Sequence, residues 1–345
     1  CIKFTATDEG IRLVGGNTEH GIEVSIPADD ESGVIIEKPG SIVLPALFHD
    51  IVRKLDGEII IQTKDQTKDL SATIKSGEAK FELKGFDPEE YPSHSIEGGK
   101  RASFVLAGEE LKSLVAKTAH CASKSNARPI LQGIYVQTSK AEVKFTATDS
   151  HRLALADLST VGTDDALEAV IHRDSIAELN RVIDDKDEVE ITLTDMQFIA
   201  EAEGIIFRSR LLEGTYPNVD RILPENYSTK VSLNRTEFLA ALERLSILTD
   251  KKVVKLSVSS TDISHVVELE ASQAERGSAK ETMFVGEFEG EPISIAFNCA
   301  YAIEAIKAIG DQDVLLGFTG EFAPFTITPM NEVNELQLIL PVRAS

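Results

Sequence analysis

Three observations predict an α+β fold built from three copies of one strand-helix-strand plan. Apolar residues alternate over short runs and then switch to helical spacing, these patterns recur at an offset of about 127 residues, and the chain is too long for one compact core. Its 345 residues are 42% hydrophobic and 27% charged, an ordinary globular balance that calls for two or three domains.

The copies are read in chain order. In the first, a strand over Ile2 to Ala6 and another ending at Leu44 precede a helix carrying Phe48, Ile51 and Leu55, followed by a strand over Glu58 to Gln62. In the second, a strand at Phe104 to Leu106 enters a helix carrying Leu111, Leu114 and Val115. A strand ending at Ile171 then leads to a helix with Ile176, Leu179 and Ile183, and a strand follows over Glu188 to Leu193. The third repeats this with Val231 to Leu233, then Phe238, Ala241, Leu242 and Leu245. Its later strand ends at Phe297, its second helix carries Ile303 and Ile306, and a strand over Asp313 to Phe318 closes the plan. Copies one and two end on Tyr91-Pro92 and Tyr216-Pro217, which places the domains at residues 1–99, 100–227 and 228–345. The literal repeat FTATD, at Phe4 to Asp8 and again at Phe145 to Asp149, is out of this register and is set aside as a decoy. Instead Ile2 to Ala6 aligns with Ile134 to Thr138. On that alignment the helix opening near Ala107 has its first-copy counterpart before residue 1, and about 30 residues are expected to be missing there.

Composition excludes several function classes. No apolar run reaches the roughly 18 residues of a membrane span, and no secretory signal is visible near Cys1. Cys1, Cys121 and Cys299 are odd in number and far apart, with no CxxC pair, so a reducing, cytoplasmic setting without structural zinc is expected. No GxxxxGK[ST] occurs, and Gly15-Gly16 lacks dinucleotide-loop spacing. Asp149, Ser150 and His151 include the residue types of a hydrolase triad, but as neighbours in sequence they cannot line up nucleophile, base and acid. The 57 acidic residues form no ligand cluster with His or Cys at metal spacing. A non-catalytic binding protein without cofactors is expected. A net charge of -22 argues against a nucleic-acid partner only weakly, because charge is screened over about 8 Å at physiological salt.

Three segments stand out. Thr148-Asp-Ser-His-Arg-Leu153 interrupts a strand pattern with turn formers and by itself reads as a bulge or tight turn. Tyr216 to Pro224 brackets Arg221 and Ile222 between two prolines and reads as an interdomain linker, while Leu336 to Arg343 reads as a final strand closing the third domain.

Together with the threefold repeat, these segments resemble the bacterial replication sliding clamp, the beta subunit of DNA polymerase III. The matching stretches are TDxHRLA at Thr148 to Ala154, [FY]P-x-x-x-R-[VI]-LP at Tyr216 to Pro224, and [LM]P-[MV]-R at Leu340 to Arg343. The resemblance implies a head-to-tail homodimeric ring of six domains, with sheets outside and helices lining the inner face. Double-stranded DNA would be encircled without sequence preference, and the polymerase III alpha subunit, the clamp loader delta subunit and repair polymerases would dock through a peptide groove.

By resemblance that groove takes Leu131, Thr148, Ser150, His151, Arg152, Leu153, Pro217, Arg221, Ile222, Asn298, Tyr301, Pro324, Leu338, Leu340, Pro341, Val342 and Arg343. The DNA-facing cations would include Lys112 and Lys117 on a helix and Lys124 and Arg128 on the loop after it. The dimer interface would pair Phe81 and Leu83 with Ile247 and Leu248. Two other classes are weighed: a hydrolase, which needs a convergent nucleophile and base, and a passive scaffold, which would not be retained on circular DNA.

Overall fold

The structure, a computed structural model, describes residues 1–66, 69–92, 98–159, 166–250, 252–260, 265–331 and 334–343. The first third forms β1 (Ile2–Thr7), β2 (Gly10–Gly16), β3 (His20–Pro27), β4 (Gly40–Leu44), α1 (Leu47–Val52), β5 (Ile60–Gln66), β6 (Asp69–Ser76) and β7 (Ala79–Lys84). The middle third forms β8 (Lys100–Ala107), α2 (Gly108–Thr118), β9 (Gly133–Thr138), β10 (Val143–Thr148), β11 (Arg152–Leu158), β12 (Leu167–His172), α3 (Arg173–Val182), β13 (Glu188–Thr194), β14 (Gln197–Ala202) and β15 (Ile205–Arg210). The last third forms β16 (Thr229–Asn234), α4 (Arg235–Ser246), β17 (Val253–Ser260), β18 (His265–Gln273), β19 (Gly277–Phe284), β20 (Phe288–Gly290), β21 (Ile293–Asn298), α5 (Cys299–Ala308), β22 (Asp313–Phe318), β23 (Phe325–Pro329) and β24 (Glu335–Ile339).

The repeat is visible in how the strands are ordered. The orders β4-β1-β2-β3, β12-β9-β10-β11 and β21-β17-β18-β19 are the same arrangement three times. In this arrangement β1 corresponds to β9, as the offset requires. The two FTAT copies lie on β1 and β10, which are not equivalent strands, so their likeness is accidental to the repeat. Among the described residues all strand pairs are antiparallel, and hydrophobic residues alternate toward one face, as in β9 with its buried Ile134 and Val136.

The chain forms two compact units, one of residues 1–108 and 181–211, the other of residues 109–180 and 212–345. The middle repeat is thus divided between them, because its strands join two different sheets. In the first unit β3 pairs with β15, extending one sheet over eight strands. In the second β11 pairs with β24, extending another over nine. The first unit's core gathers Phe4, Ile42, Leu44, Phe48, Ala72, Ile74 and Leu83 between α1 and its sheets. The second unit's larger core includes Phe238, Leu242 and Leu245 from α4, as helical spacing predicts, with Ile306 and Ala302 from α5, while the expected Ile303 packs only against its margin.

Local chemistry fixes where the helices begin. Gly108 opens α2, where a Cβ would come within 1.9 Å of the Asp184 carbonyl oxygen, so only glycine lets β8 turn into the helix beside the end of α3. Asn234 caps α4 by accepting the Glu237 backbone N–H at 3.1 Å. Among the described residues no helix is long and apolar enough to cross a membrane.

Asn234→Ala removes that cap and should lower unfolding free energy by about 1 kcal/mol, measured by thermal or denaturant melting. A change within error would mean that the cap contributes nothing.

Candidate functional site

The three remote segments meet around β24. Leu153 pairs with Leu338 and Leu155 with Leu336, and directly opposed residues of an antiparallel pair share a face. On that face Leu153, Leu155 and Leu338 pack with Leu131, Val170, Tyr216 and Val219 in one buried cluster. The Tyr216 ring stacks on Tyr135 at 4.7 Å, and its hydroxyl accepts the Thr148 backbone N–H at 3.1 Å. Burial holds the Tyr216 phenol well above its usual pKa, so it remains a neutral hydrogen-bonding group.

Beyond β24 the chain crosses from one wall to another. The Leu340 N–H donates to the His151 carbonyl at 3.0 Å, Pro341 bridges to Phe297, and the Val342 N–H donates to the Ala296 carbonyl at 2.8 Å. Leu340, Pro341 and Val342 stay half-buried, while Pro217 and Ile222 are exposed. Pro324 lies one residue past the Phe325–Ile339 pair, beside Leu340 in the register. This half-open apolar margin is the candidate crevice, and Ser150, His151, Arg221 and Arg343 are exposed in the segments that form it.

Several expected contacts are used up within the fold. The Thr148 hydroxyl donates to the Arg152 carbonyl at 2.6 Å and accepts the Ser150 N–H at 3.2 Å, closing the turn in which Ser150 adopts φ of 76°. Asn298 caps α5 through the Ala300 N–H at 3.0 Å. Arg152 departs most from expectation. Its side chain is 7% exposed and on the opposite face from Leu153, ion-paired to Asp149 at 3.0 Å and to Glu304, donating to the His120 carbonyl at 2.7 Å, and lying 4.5 Å over the Tyr301 ring. Arg152 therefore braces the turn from the face opposite Leu153 rather than forming the rim, stacked on the half-buried Tyr301.

Other residues divide similarly. Lys124 and Arg128 are exposed on a loop whose neck is closed by the Ser123 N–H to Leu131 carbonyl bond at 2.8 Å. Lys112 is half-buried. Lys117 turns inward to the buried Glu335 at 3.4 Å, so it is not the inner-face cation that its helical position suggests. Phe81 and Ile247 are 39% and 76% exposed and Leu248 is half-buried, but Leu83 is only 8% exposed and belongs to the first unit's core. Phe81 and Leu83 share a face of β7, and only the Leu83 end of that face covers the core.

Tyr216 is a further wall residue, whose sign in the sequence is an aromatic just before Pro217, and His120 is a further, partly buried residue behind the turn. Burial and the Arg152 charge push the His120 pKa down to about 4. A separate cavity of ≈ 430 Å³ is lined by Gln137, Glu142, Lys144, Leu167, Glu168 and Asp220, mixes polar and apolar surface, and has Lys144 paired to Asp220 at 3.3 Å.

His120 carries a stability consequence. Its folded pKa of about 4 lies below its ordinary 6.5, so between these values the unfolded chain binds a proton that the folded chain does not. The contribution is complete above about pH 6.5 and is lost as pH falls toward 4. His120→Gln should therefore show a smaller fall in melting temperature than the parent over this window, and equal falls would refute the assignment.

The family descriptions of the DNA polymerase III beta subunit match its N-terminal domain to residues 1–95, its central domain to 105–218 and its C-terminal domain to 220–343. The beta sliding clamp of Bacillus subtilis is 36% identical over 351 residues, covering 99% of this chain and 91% of the relative, and a beta sliding clamp of Staphylococcus aureus is 36% identical at the same coverage. The crystal structure of the B. subtilis DNA polymerase sliding clamp superimposes with a TM-score of 0.92 at 34% identity, covering 100% of this chain and 91% of that one. The chain therefore belongs to the sliding clamp family, the beta subunits of DNA polymerase III.

Proposed function

We propose that the crevice around Leu338 is where this clamp holds the proteins it serves. As a sliding clamp the protein is a polymerase processivity factor without an active site of its own, and DNA and polymerases are its partners. One observation carries the finer reading: three segments remote in sequence build an apolar cluster at the strand shared by two repeats, and leave Leu340, Pro341 and Val342 half-open at its margin. Such a surface suits a short flexible peptide with apolar and Gln side chains, as the polymerase III alpha subunit, the clamp loader delta subunit and repair polymerases would present. Pro217 and Pro341 stiffen the walls and lower the ordering cost of docking.

Two chains close head to tail into a ring in this reading. The third strand of a repeat pairs with the last strand of a neighbouring one at β3–β15 and at β11–β24. The remaining members of the series, β19 and β7, end their sheets. Phe81 on β7 occupies the position of Phe207 on β15, which is fully buried, so a second chain laid along β7 would cover Phe81 as β3 covers Phe207. The exposed Lys124 and Arg128 supply weak phosphate contacts, sufficient where encirclement holds the DNA and tight binding would hinder sliding. The domains are assigned to residues 1–99, 100–227 and 228–345, and the protein to the cytoplasm, where replication proceeds.

Deleting Pro341 to Ser345 should leave melting and oligomeric state nearly unchanged while weakening a labelled peptide from the alpha subunit's tail by about 10- to 1000-fold. Unchanged affinity in the folded deletion variant would remove this segment from the site.

The paired substitution Ile247→Ala with Leu248→Ala should convert dimers to folded monomers in sedimentation, through loss of about 1.5 to 3 kcal/mol per side chain at each interface. Unfolding rather than dissociation would place these residues in the core.

A further inference from the structure

The face of β24 that lines the crevice cannot define its own register. Leu336, Leu338 and Leu340 recur at every second position, so sliding the strand by two residues, about 6.8 Å, would again set a leucine opposite Leu153. The opposite face is not degenerate. There Glu335, Gln337 and Ile339 stand opposite Ala156, Ala154 and Arg152, and all three are at most 2% exposed. Ile339 fills the core of the third repeat. Gln337 donates through Nε2 to the Lys117 carbonyl at 2.9 Å and to Glu335 Oε1 at 3.2 Å, and Lys117 Nζ lies 3.4 Å from Glu335 Oε2. A buried carboxylate is thus ion-paired, and a buried amide nitrogen hydrogen-bonded, to one point on α2, while Gln337 Oε1 accepts no hydrogen bond among the described residues.

We propose that Lys117, Glu335 and Gln337 form a register lock on the shared strand and are positioning residues for peptide capture, although none of them lies on the crevice face. A two-residue slide in either direction parts Glu335 from Lys117 and sends Gln337 or Pro341 to the core position of Ile339. A buried, uncompensated carboxylate or an amide in an apolar core is strongly unfavourable, so only one alignment survives. That alignment sets Leu338 against Leu153 and delivers Leu340 to His151 and Val342 to Ala296. The small residues Ala154 and Ala156 leave room on β11 for the polar pair opposite them. Lys117 therefore serves the clamp through the partner site and not through DNA.

This inference rests on the crevice being the peptide site, and the experiment keeps the two apart. Three full-length proteins are compared: the parent, Lys117→Met, and a triple variant with Lys117→Met, Glu335→Leu and Gln337→Met. Melting temperature, affinity for the labelled alpha-subunit peptide, and amide exchange of residues 335–339 are measured on each. Lys117→Met should lower both stability and affinity. In the triple variant melting should return to the parent value or exceed it, because apolar replacements of a buried polar group can be neutral or stabilising. Its peptide affinity should remain lower by about 10-fold or more, and its strand amides should exchange faster or as two populations. Parent-like affinity with parent-like exchange in the triple variant would overturn the lock. If the triple variant does not fold, Gln337→Met alone decides: weaker binding with faster strand exchange supports the lock, and no change in either overturns it. A parent chain that fails to bind the peptide refutes the crevice, while the exchange pattern still reports on the lock.

Discussion

The continuity of backbone hydrogen bonding from one repeat into the next is the constraint on which the rest depends. A repeat of this kind ends in a strand whose outer N–H and C=O groups need partners. At β3–β15 and β11–β24 the partner comes from a neighbouring repeat. These ladders fix which side chains face each other at the second junction, and so they create the crevice. Leu153 meets Leu338 because β11 meets β24, and Tyr216 can reach the Thr148 amide because that hairpin is held in place.

The same junction separates two kinds of chemistry. On one face of the shared strand lies an apolar cluster open at its margin. On the other, Arg152 ties the hairpin to α5 through Glu304 and Tyr301, while Lys117 ties α2 to Glu335. Buried charged groups add little net stability when apolar replacements would pack as well, but they discriminate sharply between alignments. A surface assembled from two repeats depends on that discrimination more than on additional stability.

Much of this was legible in the sequence. The stripes Leu111, Leu114, Val115 and Phe238, Ala241, Leu242, Leu245 fall on α2 and α4, and the offset that joins Ile2 to Ala6 with Ile134 to Thr138 agrees with strand order. Helical and strand periodicity are local properties, so they survive in a single sequence. Pairing across repeats is not local, and nothing in β24 names β11 as its neighbour. For the same reason the side-chain roles at the site divide unevenly. A polar residue near a turn looks alike whether it faces a partner or closes its own turn, which is why Thr148, Arg152 and Asn298 proved to be internal. Leu83 and Lys117 show the corresponding limit for positions on an element: periodicity gives the face but not what covers it.

The unpaired edges of β7 and β19 have a consequence for the solitary chain. Two unlike edges make a head-to-tail contact that, unless geometry closes it, propagates into a filament. Such edges also invite pairing with any unfolded segment nearby. Charge tempers this hazard: Lys80, Glu82 and Lys84 stand exposed on β7, and Lys280 on β19 is ion-paired to Glu268. Charged side chains along an edge penalise a strand that does not match their pattern, so these edges resist indiscriminate pairing even where no strand covers them.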